Sequence, residues 1–177
     1  MLTDRDLKLR TASENENEIL WNLIFGDPAW KEFDAPYYPL EHLDLDAFTA
    51  GYFERFVSGE DALLIEVGDR IVGSVTFYWE DKATRWLEIG IVIYTANQWG
   101  REIGRRALRL WTSYLFDEFP VERIGLTTWS GNPRMVSCAQ SLGFEIEGRL
   151  RKVRYYQQHY YDSIKMGVLR SEWQAGS

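Results

Sequence analysis

The chain has 177 residues, which suits one domain with a sizeable core, and its 45% hydrophobic and 27% charged residues exclude intrinsic disorder. A formal net charge of −7 argues against nucleic acid as a partner, because phosphate backbones attract basic surfaces, and it favours a cationic substrate. One cysteine excludes an internal disulfide, two histidines leave no Cys/His set for a metal, and no apolar stretch resembles a signal peptide or a membrane span, so we expect a cytoplasmic protein with no metal and no membrane partner.

The first half of the chain predicts one strand, two helices and then three strands. Residues 7–11 alternate like a strand, and apolar residues at helical spacing predict a helix that ends at Gly26-Asp27-Pro28. An irregular aromatic loop leads to a second predicted helix over residues 43–57. The three strands are predicted over residues 62–67, 70–79 and 84–94, and Gly68-Asp69 between the first two is a hairpin signal.

The second half alternates helices and strands. The turn at residues 100–104 opens an amphipathic helix that ends at Phe119-Pro120, and residues 124–129 read as a strand. Asn132 is a good helix N-cap, and Gly143 is placed to end that helix in the left-handed conformation. Residues 144–147 and 163–169 are predicted as two last strands joined by a basic, tyrosine-rich segment. We therefore expect a mixed α/β fold in one domain over residues 1–177.

The turn after the third strand is the most informative stretch. The first N–H groups of a helix lack helical partners and lie at the positive end of its dipole, so this turn predicts an anion site. Gly100 and Gly104 allow close approach of a phosphate, and Arg101 and Arg105 add positive charge. The alternative is a strand-to-helix turn that merely uses two glycines. The stretch matches neither a Walker A loop nor a GxGxxG pattern.

This turn resembles the acetyl-CoA turn of the GCN5-related N-acetyltransferases, whose pattern is Arg/Gln-x-x-Gly-x-Gly/Ala. Trp99 takes the first position, Glu102 the first glycine and Gly104 the last position, so two of the three signature positions depart. The Trp99-Gly100 pair resembles the same turn in the branch of ribosomal-protein N-terminal and polyamine acetyltransferases. We expect the Glu102 carboxylate to point away from the phosphates.

Two further blocks resemble the same family. Asn132-Pro133-Arg134 with Leu142-Gly143-Phe144 is similar to its Asn-helix-Gly-Phe block, and residues 147–151, 161–162 and 169–173 are similar to the C-terminal tail of that branch. The resemblance spans about residues 7–173. It implies a mostly antiparallel central sheet flanked by helices, acetyl-CoA as co-substrate, and a homodimer as the expected assembly.

The resemblance also implies how acetyl-CoA is held. The pantetheine arm adds to the strand at Ile91 and Ile93, where a backbone N–H can polarise the thioester oxygen. The implied residues for the cofactor are Ile91, Ile93, Trp99, Gly100, Arg101, Glu102, Ile103, Gly104, Arg105 and Asn132.

Two residues are predicted to move protons. Glu88 occupies the family's usual place for a general base, and its alternative role is that of a solvated strand residue paired with Arg85 or Lys82. Many relatives carry a tyrosine that protonates the thiolate, but that position is Ala139, so Ser137 is the predicted donor. Cys138, Tyr155 and Tyr156 are the alternatives for this donor. With no histidine tied to Cys138, we expect direct transfer rather than an acyl-cysteine.

The acceptor amine is expected at the aromatic loop. Glu32 and Asp34 can attract a cation, and Trp30 and Tyr37 can pack on its alkyl part. The alternative is a loop anchored by aromatic residues with its charges in solvent. Glu80-Asp81 is a second acidic spot. The basic run Arg149, Arg151, Lys152 and Arg154 contacts a nucleotide phosphate, lines the acceptor entrance, or forms a solvated face.

The sequence therefore predicts an N-acetyltransferase that moves an acetyl group to a primary amine of a polyamine, an antibiotic or a protein N-terminus. A non-catalytic acyl-CoA-binding module is the alternative, because Glu102 and Ala139 depart from the family pattern. A nucleotide- or nucleic-acid-binding protein is disfavoured by the acidic charge and the missing Walker lysine.

Overall fold

The computed structural model describes residues 1–175, and the last two residues of the predicted domain lie outside the described residues. The strands are β1 (Leu2–Asp4), β2 (Leu7–Arg10), β3 (Ala62–Val67), β4 (Arg70–Asp81), β5 (Trp86–Ile93), β6 (Arg123–Trp129), β7 (Glu145–Tyr156) and β8 (His159–Leu169). The helices are α1 (Asn17–Phe25), α2 (Leu45–Ala47), α3 (Glu54–Ser58), α4 (Ile103–Glu118), α5 (Pro133–Gln140) and α6 (Arg170–Ala175). Short 3₁₀ turns cover Glu14–Glu16, Pro28–Glu32 and Ala96–Gln98.

The strands form one eight-stranded sheet in the order β1-β2-β3-β4-β5-β6-β8-β7. Every neighbouring pair is antiparallel except β5 and β6, which are parallel. Alternate residues of β3 enter two cores: Leu63 and Ile65 pack with α4, and Ala62 and Leu64 pack with α1 and α3. The predicted mixed, mostly antiparallel sheet flanked by helices is confirmed.

The second predicted helix is interrupted. It begins at Leu45, passes through a π-helical stretch at Phe48–Phe53, and ends at Ser58 before Gly59. The π-helical stretch places Phe48 and Phe53 in the core on the side of α1. Helical spacing predicted the helix, but an extra residue per turn leaves no clear mark in the sequence.

Two elements at the ends of the chain, β1 and α6, are missing from the prediction, and the last two predicted strands are longer than expected. Strand β1 is only three residues long and is fastened by Arg106, which binds Asp4 and Asp6. The C-terminal helix α6 was not predicted. The basic, tyrosine-rich connector is instead a long hairpin of β7 and β8, in which Arg154 pairs with Tyr161 and Tyr155 with Tyr160.

The turn of that hairpin explains why it was missed. Gln157 and Gln158 both have positive φ, 47° and 63°, a backbone conformation that Asn and Gly usually fill. By contrast Gly68 and Asp69 have φ of 53° and 61°, and that hairpin was predicted correctly. Gly143 has φ of 90° and ends α5 as predicted.

Candidate active site

A gap between β5 and β6 forms the floor of the site. The two strands pair only at Leu87↔Ile124 and Glu88↔Gly125, and beyond these pairs they separate. The Tyr94 N–H points toward β4, where it donates to Val72 O at 2.9 Å. The backbone N–H and C=O groups of successive strand residues point to opposite edges of the strand, so those of Ile93 and Ile91 point away from β4 and into the gap. The predicted pantetheine strand thus has no partner strand on this edge at Ile91 and Ile93.

The gap widens into a groove of about 540 Å³. Its walls come from β5, the turn before α4, α5, the end of β6 and the aromatic loop before α2. Thirteen of the predicted site residues line it, namely Trp30, Asp34, Tyr37, Ile91, Ile93, Trp99, Gly100, Glu102, Ile103, Gly104, Arg105, Asn132 and Ser137. Phe33, Thr127, Trp129 and Arg134 also line it and were missed by the prediction.

Ten of the thirteen belong to the predicted cofactor and catalytic sets, and Trp30, Asp34 and Tyr37 belong to the predicted acceptor side. Three predicted residues do not line the groove. Glu32 and Arg101 are exposed outside it, and Glu88 is buried beneath it.

The turn before α4 offers three free backbone donors. The first helical hydrogen bond runs from Arg106 N–H to Glu102 O at 2.9 Å, so the N–H groups of Ile103, Gly104 and Arg105 have no helical partner. The turn is made by two residues of positive φ, Gly100 at 76° and Glu102 at 60°. These donors and the helix dipole suit an anion such as a diphosphate.

Glu102 holds a conformation that normally belongs to glycine. A non-glycine residue in the left-handed region costs about 1–2 kcal/mol. Its carboxylate is exposed and lies 3.6 Å from the Arg105 guanidinium. Glu102 lines the groove and its carboxylate pairs with Arg105. That this carboxylate points away from the phosphates of CoA stays a prediction.

The aromatic loop is fastened across the groove by Phe33. Its carbonyl oxygen accepts hydrogen bonds from Trp129 Nε1 at 3.0 Å and from Asn132 Nδ2 at 3.1 Å. The Arg134 guanidinium lies over the rings of Phe33 and Trp99, at 5.1 and 5.8 Å from their centroids. Loop and β6 thus form one continuous wall.

Asn132, predicted to bind the cofactor, has both ends of its side chain engaged. Its Oδ1 accepts from Met135 N–H at 3.1 Å as the N-cap of α5, while its Nδ2 binds the loop. Trp99 is similarly engaged, because its Nε1 donates to Ile93 O at 2.9 Å. Both side chains shape the groove through contacts within the chain.

Asp34 is the acidic residue of the acceptor wall. Its carboxylate opens to the groove, and no ion pair or hydrogen bond reaches it from residues 1–175. Lys31, its neighbour in the loop, donates instead to the carbonyl oxygens of Asp34 and Ala35. Asp34 is exposed at the groove, yet the protein around it partly desolvates its carboxyl and raises its pKa, opposed by the charge of Lys31. A carboxylate in this state suits an incoming ammonium group.

Aromatic rings surround this carboxylate's end of the groove. Trp30 is buried, donates from Nε1 to Ile24 O at 3.0 Å, and packs edge-on against Tyr94 at 5.5 Å. Tyr37 packs edge-on against Trp129 at 5.7 Å. Such walls bind the apolar part of an amine and leave the charge to Asp34.

Glu88 lies at the point where β5 and β6 separate, and its side chain is 0% exposed. Its Oε1 accepts from Trp86 Nε1 at 2.9 Å and from the Arg123 guanidinium at 3.1 Å. Its Oε2 accepts from Thr127 Oγ1 at 3.3 Å, and Thr127 lines the groove. The alternative role, a solvated strand residue paired with Arg85 or Lys82, is therefore wrong, because Glu88 is buried and pairs with Arg123.

The predicted proton donor and its neighbour lie on α5. Ser137 is exposed and lines the groove. Cys138 is half-buried, and desolvation raises the pKa of its thiol while the charge of Arg105 opposes the rise. A protonated thiol is a poor nucleophile, which agrees with the expected direct transfer.

The basic run divides on the hairpin of β7 and β8. Arg149 pairs with Asp162 at 3.0 Å, whereas Arg154 lies over the rings of Tyr37 and Tyr38, at the acceptor side of the groove. In the second acidic spot, Glu80 pairs with Lys165 at 3.5 Å.

Sequence reasoning missed Phe33, Thr127, Trp129 and Arg134. Phe33 acts through its carbonyl oxygen, which no side-chain pattern reveals. Trp129 and Arg134 flank Asn132 at the end of β6, and that position beside a predicted N-cap was the only available signal.

The eight-stranded sheet flanked by helices is the fold of the GNAT acetyltransferases. The family model described as acetyltransferase (GNAT) domain matches residues 6–145, and the chain belongs to this family. It is therefore an acetyltransferase of a family that uses acetyl-CoA as co-substrate, as predicted.

Three relatives illustrate the match. The SPbeta prophage-derived uncharacterized N-acetyltransferase YokL of Bacillus subtilis is 22% identical over 182 residues, covering 97% of this chain and 94% of that protein. The fold is similar to that of spermidine N-acetyltransferase from Vibrio cholerae in complex with CoA and spermine, at 18% identity and a TM-score of 0.79 over 97% of this chain and 99% of the other. An acetyltransferase (GNAT family) from Bacillus anthracis gives a TM-score of 0.77 at 16% identity over 97% and 99% of the two chains.

No helix among residues 1–175 combines the length and apolarity needed to cross a membrane.

Proposed function

We propose that this protein transfers the acetyl group of acetyl-CoA directly to a primary amine whose ammonium form binds Asp34. The observation that carries the proposal is the position of Asp34, an unpartnered carboxylate in an aromatic groove that continues into the gap beside Ile91 and Ile93. The turn before α4, at the other end of the groove, supplies backbone donors for the diphosphate of CoA.

Asp34 has the properties of a proton acceptor. An amine attacks only after it loses a proton, and a carboxylate with a raised pKa accepts one more readily than an ordinary aspartate. The amine nitrogen then forms a bond to the thioester carbonyl carbon, and the carbon–sulfur bond breaks. Ser137 lines the groove and is the proposed donor of a proton to the departing thiolate.

A second candidate base is Glu88, as predicted from the family resemblance. Its Oε2 accepts a hydrogen bond from Thr127, whose side chain lines the groove, so a proton can reach Glu88 through that hydroxyl. Against this role, three donors already occupy its two oxygens. We therefore place Asp34 first.

The alternative function is a non-catalytic module that binds acyl-CoA. The exposed carboxylate of Glu102 at the start of α4 and the alanine at position 139 favour it. Such a module binds CoA and releases no thiol with any amine. The carboxyl of Asp34, with its raised pKa, has no role in a module of this kind, and it favours the enzyme.

A homodimer also remains a proposal. Strand β7 forms the edge of the sheet and exposes Leu150, Val153 and Tyr155. Sedimentation equilibrium tests the homodimer. We expect a single species of about twice the chain mass of 20.8 kDa, and a species of the single-chain mass would contradict the proposal.

The test of the enzyme is thiol release from acetyl-CoA with a panel of primary amines, in wild type and in Asp34→Asn. We expect turnover with at least one amine, and a fall in kcat/KM of about 100-fold or more in the variant, the usual contribution of a general base. Glu32→Gln, two residues away and outside the groove, is the matched control and should match wild type. Binding of CoA without turnover of any amine would favour the module instead.

A further inference from the structure

The aromatic rings at the acceptor end of the groove present carbon surface, because their polar atoms are bound within the chain. Trp30 Nε1 donates to a carbonyl oxygen of α1 at 3.0 Å, and Trp129 Nε1 donates to Phe33 O at 3.0 Å. Arg154 donates a hydrogen bond to the Tyr37 hydroxyl. All three rings line the groove, so they offer a bound molecule apolar faces.

The backbone of the aromatic loop is engaged in the same way. Phe33 O accepts from two side chains. The next carbonyl oxygen, Asp34 O, accepts from Lys31 Nζ at 2.8 Å. Ala35 O accepts from the same Nζ at 3.2 Å and from Tyr38 N–H at 3.0 Å. Three successive carbonyl groups are thus occupied before any hydroxyl or amide of a bound molecule reaches them.

The carboxylate of Asp34 is the exception at this end of the groove. No hydrogen bond or ion pair reaches it from residues 1–175. Burial raises the pKa of the Tyr37, Tyr52 and Tyr94 hydroxyls, and the charge of Asp34 adds to the rise at all three. One negative charge therefore lies among aromatic rings, which suits one ammonium group.

The rest of the groove offers no free carboxylate for a second ammonium. Glu102 is the other acidic residue among the described residues that line the groove, and it lies at the start of α4, 3.6 Å from the Arg105 guanidinium. The charges nearer the acceptor end are positive, namely Lys31 in the loop and Arg134 in the lining. A second ammonium would meet like charges there.

We infer that the acceptor is a primary amine with a single positive charge on an apolar chain or ring, an inference that rests on the proposed function. Its ammonium binds Asp34, and its carbon body packs on the faces of Trp30, Tyr37 and Trp129. A polyamine, an amino sugar or a peptide N-terminus would bring a second ammonium, hydroxyls or amides against these faces. Such groups lose hydrogen bonds to water and gain no partner, so the groove selects against them.

The test measures kcat/KM for thiol release with n-alkylamines from propylamine to hexylamine. We expect a rise of about threefold for each added methylene, because each buries more apolar surface. Cadaverine has the length of hexylamine with an ammonium in place of the terminal methyl, and hexylamine should exceed it by about tenfold or more. The net charge of −7 attracts the dication more strongly, so a preference for hexylamine comes from the groove.

A variant of the groove wall distinguishes contact with the acceptor from a structural role. Tyr37→Ala should lower kcat/KM for hexylamine about fivefold, the scale of one buried methylene, and should lower it less for propylamine. Tyr38→Ala removes an exposed neighbouring ring that does not line the groove and should leave the whole series unchanged. An equal loss for every amine in Tyr37→Ala would overturn the packing of the acceptor on this wall.

Glucosamine and trialanine represent the hydroxylated amines and the peptide N-termini, and both should react more slowly than hexylamine. Turnover of cadaverine, glucosamine or trialanine equal to or faster than that of hexylamine would overturn the inference and leave the proposed function standing. If wild type acetylates no amine at all, the proposed function fails as well.

Discussion

Replacing Glu102 separates two effects that meet at the start of α4, its charge and its backbone conformation. Glu102→Gln removes the charge and keeps the strain of the left-handed backbone, whereas Glu102→Gly removes the charge and the strain. For a carboxylate roughly 7 Å from a diphosphate with about two charges, at an effective dielectric constant of about 60, the repulsion is about 1.5 kcal/mol. At about 0.15 M salt, screening over about 8 Å reduces this to roughly 0.7 kcal/mol.

These energies give a measurable change in affinity. We expect CoA to bind Glu102→Gln about tenfold more tightly than wild type at low salt and about threefold more tightly at physiological salt, because 1.4 kcal/mol is about tenfold. Isothermal titration calorimetry at the two salt concentrations measures both values. Glu118→Gln, at the other end of the same helix, is the control.

The glycine variant adds a change in stability. It relieves about 1–2 kcal/mol of left-handed strain but gives the unfolded chain up to about 1 kcal/mol of extra freedom. A net gain of about 0.5 kcal/mol raises Tm by roughly 1–2 °C for a chain of this size, and the glutamine variant should not share it. Equal or weaker CoA binding by Glu102→Gln at low salt would refute the placement of a diphosphate at this turn.

Three further predictions follow from the buried charge, the thiol and the groove carboxylate. Arg123→Met leaves the buried carboxylate of Glu88 without its cation and should lower the free energy of unfolding by about 3 kcal/mol in urea melts, whereas Arg85→Met should change it little. Cys138→Ala should keep full turnover, and slow alkylation of wild type at pH 7 should report the raised pKa of the thiol, with fast alkylation contradicting it. Because burial raises the pKa of Asp34, kcat/KM should fall as the pH decreases through that value, and Asp34→Asn should lose this limb. The native state then binds this proton more readily than the unfolded state, so Asp34→Asn should also have a higher Tm than wild type at pH 7.

The sheet was predictable where local chemistry and tertiary structure agree. Gly68-Asp69 carries both the residue types and the positive φ of a tight hairpin, so that hairpin could be read from the sequence. Gln157 and Gln158 adopt the same kind of backbone without those residue types. Cross-strand pairs such as Tyr155 and Tyr160, 4.9 Å apart, stabilise the hairpin in their place, and a reading of local signals misses such pairs.

The site was predictable as a set of segments and less so as a set of contacts. The turn before α4 and the aromatic loop could be identified because helix starts and aromatic–acidic clusters have local signatures. The cationic partner of Glu88 could not be identified from the sequence, since Arg123 lies 35 positions away along the chain. Gly125 leaves room for that pair, because a Cβ there would lie 2.4 Å from Glu88 Oε1 and from the Arg123 guanidinium.

A crystal structure of the protein with CoA tests the central claim most directly, namely that one groove joins the start of α4 to the gap between β5 and β6. We predict that the diphosphate accepts hydrogen bonds from the N–H groups of Ile103, Gly104 and Arg105, and that the pantetheine lies beside Ile91 and Ile93. CoA found at another surface, or absent from crystals soaked at millimolar concentration, would contradict this account.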